Sequence, residues 1–200
     1  MKGYSPFVFL LAVVALLSCE SEKESATFYP IDSLVSAQVY YLTEIDAALF
    51  KEALLEGKSD TVTYTPGDTT TWMKELEVFR KLNEINKPVN RERYEVSDGL
   101  LDPASNLTVK AVTSKTRPDG DPVPIVYLKI YYQGNLQKPR KIEAQYDEQT
   151  LLYKSARHLS MRFQQIGNQT VLTSYAVQGG QKMVLGDSVA VHISGKVLVD

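Results

Sequence analysis

Cysteine is nearly missing: the 200 residues hold one, Cys19, together with two histidines, His158 and His192, and one tryptophan, Trp72. A lone cysteine excludes an internal disulfide and every zinc site built on cysteine pairs, so a folded domain must hold by packing. Two histidines with no ligand spacing around them do not make the three or four donors that a metal site needs. The chain also lacks a glycine-rich phosphate loop, a dinucleotide fingerprint and a paired-carboxylate constellation, so the sequence calls for no cofactor. Charge of one sign is absent as well. With 22 Lys and Arg against 24 Asp and Glu, the formal net charge is −2 and no nucleic-acid footprint appears. Only one apolar run is conspicuous, Phe7 to Leu17, and nothing after it approaches the ~20 residues of a membrane-spanning helix.

That run, FVFLLAVVALL, follows Lys2 and has the length of a signal-peptide apolar core, too short to span a bilayer. It ends in Leu16-Leu17-Ser18-Cys19. An aliphatic residue three before the cysteine and a small one directly before it resemble the lipobox of bacterial lipoproteins. The resemblance implies cleavage after Ser18 and acylation of the Cys19 thiol by two or three chains. At ~0.8 kcal/mol per buried methylene, two chains already anchor a protein durably. Lipidation also disposes of an otherwise stray thiol, and it removes Cys19 from consideration as a nucleophile or metal ligand. The following residues, ESEKESAT, are polar and acidic on balance, the composition of a short flexible tether. Glu20 is not the aspartate associated with inner-membrane retention, and the acidic stretch resembles the export signals of Bacteroidota lipoproteins. The expected organisation is therefore a signal at 1–18, an acylated tether at 19–27 and one domain at 28–200. The expected location is the outer membrane, lipid-anchored, on the periplasmic side or the cell surface.

Past the tether, apolar residues recur at 31, 34, 35, 42, 45 and 49, which predicts a long first helix from Ile31 to about Leu55, with Asp32 or Ser33 as its cap. The polar stretch from Lys58 to Thr71 reads as a loop around Pro66-Gly67, with room for a small hairpin. Trp72, Leu76, Phe79 and Leu82 mark one face of a second helix that closes before Pro88. From Tyr94 the period becomes two. Strands are predicted around Leu107–Ala111, Val126–Tyr132, Ile142–Tyr146, Leu151–Phe163, Thr170–Val177 and Val189–Val199, with turns at Asp119-Gly120, Gly134-Asn135, Gly167-Asn168 and Gly179-Gly180. Helices first and strands afterwards is the α+β pattern: two N-terminal helices followed by a curved antiparallel sheet of about six strands.

Several motifs invite a chemical reading. Gly186-Asp187-Ser188 resembles the nucleophile block of GDSL-type hydrolases, but the block lies near the end of the chain. At the strand rise Ser188 and His192 would be ~13 Å apart, so the serine has no base within reach. His158 and His192 occupy polar-side positions in alternating strands and could approach across the sheet. Arg140, Lys141, Lys154, Arg157 and Arg162 could form a basic patch, although Glu143, Asp147 and Glu148 are interleaved and cross-strand pairing accounts for them. Tyr131 and Tyr132, adjacent in a strand, must face opposite sides and cannot share one glycan site. Thr61 and Thr69 follow aspartates in a pattern that resembles the O-glycosylation acceptor of Bacteroidota. The sequence therefore predicts a non-catalytic envelope lipoprotein that binds a hydrophobic, lipid-like ligand or an envelope protein, in an apolar cavity between sheet and helices. An assembly subunit of an outer-membrane complex is the alternative, and a hydrolase using Ser188 a third.

Overall fold

A computed structural model describes residues 27–199, except for 56, 116–122 and 185. The signal sequence, Cys19 and most of the tether lie outside the described residues, as does the Asp119-Gly120 turn. The chain is chiefly one antiparallel sheet of nine strands in the order β2-β1-β9-β8-β7-β6-β5-β4-β3. Helix α1 (Ile31–Glu44) comes first, then the hairpin β1 (Ala48–Leu55) and β2 (Lys58–Tyr64). A helical segment follows, made of α2 (Thr69–Glu75), α3 (Glu77–Arg80), a 3-10 stretch at Lys81–Asn86 and α4 (Pro88–Arg91). The rest is a meander: β3 (Tyr94–Leu101), β4 (Thr108–Ser114), β5 (Ile125–Tyr132), β6 (Pro139–Gln149), β7 (Tyr153–Ile166), β8 (Gln169–Met183) and β9 (Ser188–Leu198). Among the described residues no helix is long and apolar enough to cross a membrane.

Two helices followed by six strands is thus the wrong architecture. The first helix ends eleven residues early, at Glu44, because Asp46 takes a left-handed φ of 49° and Ala47 N–H returns to the Leu42 carbonyl at 3.0 Å. ALFKEALL is built of helix formers, yet it becomes β1 because both its edges are occupied, by β2 on one side and β9 on the other. Long-range pairing there overrides local propensity. The polar stretch read as a loop supplies β2. The predicted cap is also absent: Pro30 precedes α1 without a side-chain bond, and Asp32 instead holds Arg80 of α3 at 2.7 Å. The second helix breaks into short pieces, but its apolar face is as expected, since Trp72, Leu76, Phe79 and Leu82 are all fully buried.

All the helices lie on one face of the sheet. Their apolar residues meet Leu128 and Ile130 of β5, Ile142 and Ala144 of β6, Leu159 and Met161 of β7, and Leu172 and Tyr175 of β8 in a single core. One polar side chain stitches the layers. Gln38, 3% exposed, donates from Nε2 to the Thr170 carbonyl at 2.8 Å and accepts from Leu172 N–H at 2.7 Å, satisfying β8 backbone groups where its pairing with β7 shifts register. On β4 the alternation is opposite to the expected one. Val112 enters the main core, while Val109 and Ala111 join Tyr131 in a small cluster on the helix-free face. Asn86 fixes the start of the described chain, accepting from Phe28 N–H at 2.9 Å and donating to the Tyr29 carbonyl at 2.8 Å.

Candidate functional site

Two concavities over the central strands, one on each face of the sheet, are the candidates. The one between helices and sheet has a volume of about 370 Å3, within the range of small-molecule pockets. Val177 of β8 with Val191 and Ile193 of β9 form its floor, Val78 of α3 overhangs it, and the Tyr175 ring closes its inner end. Gly179-Gly180 of β8 border the cleft without side chains. The two glycines read as a turn in the sequence lie instead in the middle of β8, paired with Arg157 and Ala156. A Cβ on Gly179 would overlap the Ala156 carbonyl oxygen and come within 2.9 Å of Arg157 Cα, so close approach of two backbones excludes any larger residue.

The rim of the cleft is polar and mostly cationic: Lys51 of β1, Lys74 of α2, Arg157 of β7 and Gln181 of β8. At its inner end Glu75 gathers three donors. Lys51 Nζ lies 2.7 Å from one carboxylate oxygen, Tyr64 donates to the other at 3.1 Å, and Tyr175 donates through a short hydrogen bond. Burial would raise the Glu75 pKa, but the bonds from Lys51, Tyr175 and Tyr64 outweigh it and hold the carboxyl below its ordinary value. The partners respond oppositely. Burial, followed by the Glu75 carboxylate, pushes Tyr64 up to about 12 and Tyr175 higher still. Gly195, paired with both Lys51 and Tyr175, makes this arrangement possible. The Tyr175 ring crosses the space a side chain at Gly195 would occupy, and so reaches Glu75 on the far side.

The second concavity, about 790 Å3, is a shallow saddle on the helix-free face. Ser160, Ser174, Ala176 and Ser194 make a floor of small side chains between Tyr127 and Phe50. Its polar lining suits a solvated surface more than a hydrophobic ligand. Lys141, Arg162, Ser174 and Lys196 follow one another across four strands in register. Lys141 is held by Glu143 at 2.6 Å, which also accepts from Tyr131 at 2.6 Å. Burial opposes ionisation of Glu143, but these two donors win and lower its pKa.

The structure separates most of the residues that the sequence suggested for chemistry. His158 and His192 share the helix-free face, yet both pair with Gln178, which stands between them, so they lie two strand spacings apart, about 9.6 Å. Ser188 is exposed at the start of β9 and faces Lys182, and neither histidine shares its cross-strand row. Among the described residues no three His, Cys, Asp or Glu side chains are grouped for a metal ion. The five basic residues do not form one patch. Lys141 and Arg162 are neighbours, Lys154 pairs near the strand ends with Lys182, and Arg157 points into the helix-side cleft. Tyr131 and Tyr132 make separate bonds, to Glu143 and to Asp98. Thr61 lies exposed on the edge strand β2, and Thr69 opens α2 next to Asp68, whose carboxylate caps that helix by accepting from Thr71 N–H at 2.7 Å.

Compared with protein families, curated proteins and solved structures, the chain matches none. Its reading therefore rests on the geometry of the two concavities. The helix-side cleft combines an apolar floor, enclosure between two layers and a charged rim. Sequence reasoning placed Arg157, Tyr175, Val177, Val191 and Ile193 in strands, and Arg157 in a basic patch, but did not bring them together, and it left Lys51, Lys74, Glu75 and Val78 unassigned. The one available signal was glycine inside strand patterns, at 179 and 195.

Proposed function

We propose that this chain is a lipid-anchored envelope protein of non-catalytic type that binds an amphipathic ligand, with an apolar tail and an acidic head, in the cleft between helices and sheet. The observation that carries the reading is the cleft itself, whose floor is Val177, Val191 and Ile193 and whose rim is Lys51, Lys74 and Arg157. An aliphatic tail on this floor would be removed from water at ~25 cal/mol per Å2. The head would meet cations at the boundary, where charges keep part of their hydration. Lys51 is already engaged by Glu75, whereas Arg157 gives one bond to the neutral Ser155 hydroxyl at 3.1 Å, so Arg157 and Lys74 are the cations that turn toward an acid.

Titration with a fluorescent long-chain fatty acid tests the reading. Saturable binding at micromolar concentration is expected, weakened at least tenfold by Val177→Trp or Ile193→Trp, which fill the floor, and less by Arg157→Gln. Non-saturable binding, or binding indifferent to both tryptophans, would sink it. Mass spectrometry of lipids released from protein purified under mild conditions should find an acidic amphiphile in unit proportion.

One observation favours the assembly-subunit alternative. β3 is an open edge whose residues after Tyr94 are all exposed, including Val96, Leu100 and Leu101. Such an edge could accept a strand from an envelope protein. The register shift between Ser97 and Leu100 interrupts that edge and weakens it as a template. Crosslinking from β3 in whole cells, with a reproducible neighbour, would move the weight to this reading.

A further inference from the structure

At the end of the sheet beyond the cleft, the β6–β7 and β8–β9 hairpins project side by side. Their tips carry the most exposed aliphatic group in the described chain: Leu151 at 95%, Leu152 at 70%, Val184 at 63% and Met183 at 41% exposure. The four belong to one pad. Val184 N–H donates to the Leu152 carbonyl at 2.9 Å, and Tyr153 pairs with Met183. The Thr150 hydroxyl accepts from the amides of Leu152 and Tyr153 at 3.2 and 3.1 Å, so the leucines are held outward by a built turn. None of the four belongs to a core cluster among the described residues, and an apolar patch at a projecting end calls for an occupant.

We infer that these two tips insert into the surface of a lipid bilayer and set the mouth of the cleft against it. The inference rests on the proposed reading of an anchored, amphiphile-binding protein, and two observations select the bilayer as the occupant. The first is continuity. The strand segments that wall the cleft, Ser155 to Arg157 and Gly179 to Gln181, run directly into the tips, so an amphiphile leaving the adjoining leaflet beside the pad would pass Gln181 and Arg157 of the polar rim and enter on the apolar floor of Val191, Val177 and Ile193. The second is reach. Phe28 packs edge-on against Tyr94 with ring centroids 6.1 Å apart, and Tyr94 opens β3 at the same end of the sheet as the tips. Following the register from Tyr94, the row of Arg157 is nearly level with it, and six residues from there to Leu151 span ~20 Å. The eight links from Cys19 to Thr27 can extend to ~28 Å, enough for the pad to touch the membrane that holds the anchor. Among the described residues charge at this end is of both signs, with Lys154 and Lys182 beside Asp147, Glu148 and Asp187, so the aliphatic side chains supply the attraction and neutral lipid suffices.

The test uses the full lipidated chain in phosphatidylcholine vesicles, with an environment-sensitive nitrobenzoxadiazole probe at Leu152→Cys or, at the opposite end of the sheet, at Asn168→Cys. A blue shift and quenching by spin-labelled lipid at 152 but not at 168 are expected. Equal exposure of the two probes, or a shift at 152 only after envelope protein is added, would overturn the inference. A companion chain carrying Cys19→Ser, with no acyl group, should float weakly with the same vesicles. Leu151→Asp with Val184→Asp should lower its bound fraction at least tenfold, with Trp72 emission confirming an unchanged fold, and an undiminished fraction would count against the pad. Fatty-acid titration of the same double variant in solution separates the two claims. Retained binding there with lost flotation supports the pad as distinct from the cleft, and loss of both would overturn that assignment.

Discussion

Replacing Gly195 with alanine adds one methyl group, and the structure makes that a severe change. The new Cβ would overlap Cε1 and Cζ at one edge of the Tyr175 ring and lie 2.6 Å from the hydroxyl oxygen. The ring cannot simply tilt away, because Phe79 meets it edge-on at 5.8 Å and Glu75 holds its hydroxyl. Overpacking of a fixed core costs about 1–3 kcal/mol, and breaking a hydrogen bond to a carboxylate adds about 1.5–3 kcal/mol. A loss of about 2.5–6 kcal/mol follows, which for a domain of this size lowers Tm by roughly 5–25 °C. Urea unfolding followed by Trp72 emission reads it directly, since Trp72 is the only tryptophan and fully buried. Gly67→Ala is the control: no atom lies within 4 Å of its Cβ position and its backbone is not left-handed, so stability should be unchanged or rise by up to ~1 kcal/mol. Combining Gly195→Ala with Tyr175→Leu should cost at least ~1 kcal/mol less than the two single losses together, because the leucine vacates the contested space. If Gly195→Ala is within ~0.5 kcal/mol of wild type, or if the pair is additive, the account of Tyr175 crossing over Gly195 is wrong.

Gln38→Leu should cost about 2–4 kcal/mol by chemical denaturation, since it strands both the Thr170 carbonyl and the Leu172 amide in the core. Glu75→Gln should destabilise by about 2 kcal/mol at neutral pH. Because the folded Glu75 pKa lies below its unfolded value, that difference should be fully present above about pH 5 and shrink as pH falls through the folded pKa. A gap that widens on acidification would contradict the sign. Asp68→Ala should lower the urea midpoint modestly by removing the α2 cap, with Asp68→Asn recovering most of the loss.

The sheet's interior strands were legible because each has one buried and one solvated face, and that difference is what produces alternation. Ile142, Ala144 and Tyr146 of β6 enter the core while Lys141, Glu143 and Gln145 do not, so the pattern and the burial coincide. The edge strands were illegible for the same physical reason. All of β2 but Tyr64, and all of β3 but Tyr94, is exposed. Neither has an apolar face to write into the sequence, and their pairing is carried by backbone groups that every residue possesses. β1 failed differently. Its residues continue the apolar spacing of α1, and only the turn at Asp46 and the partners on both sides, more than a hundred residues away in the case of β9, decide that it is a strand.

The site was hidden by sequence distance as well. Lys51 and Tyr175 stand 24 and 100 positions from Glu75 along the chain, and nothing local ties a glutamate ending a short helix to a tyrosine in a distant strand. Glycine was the remaining trace. Reading Gly179-Gly180 as punctuation assumed that strands avoid glycine, whereas here one glycine admits a neighbouring backbone and another, Gly195, admits a ring. Gly179 lets β7 and β8 close together at the edge of the cleft and Gly195 lets Tyr175 form its inner wall, so the same residue type that weakens these strands locally shapes the cleft.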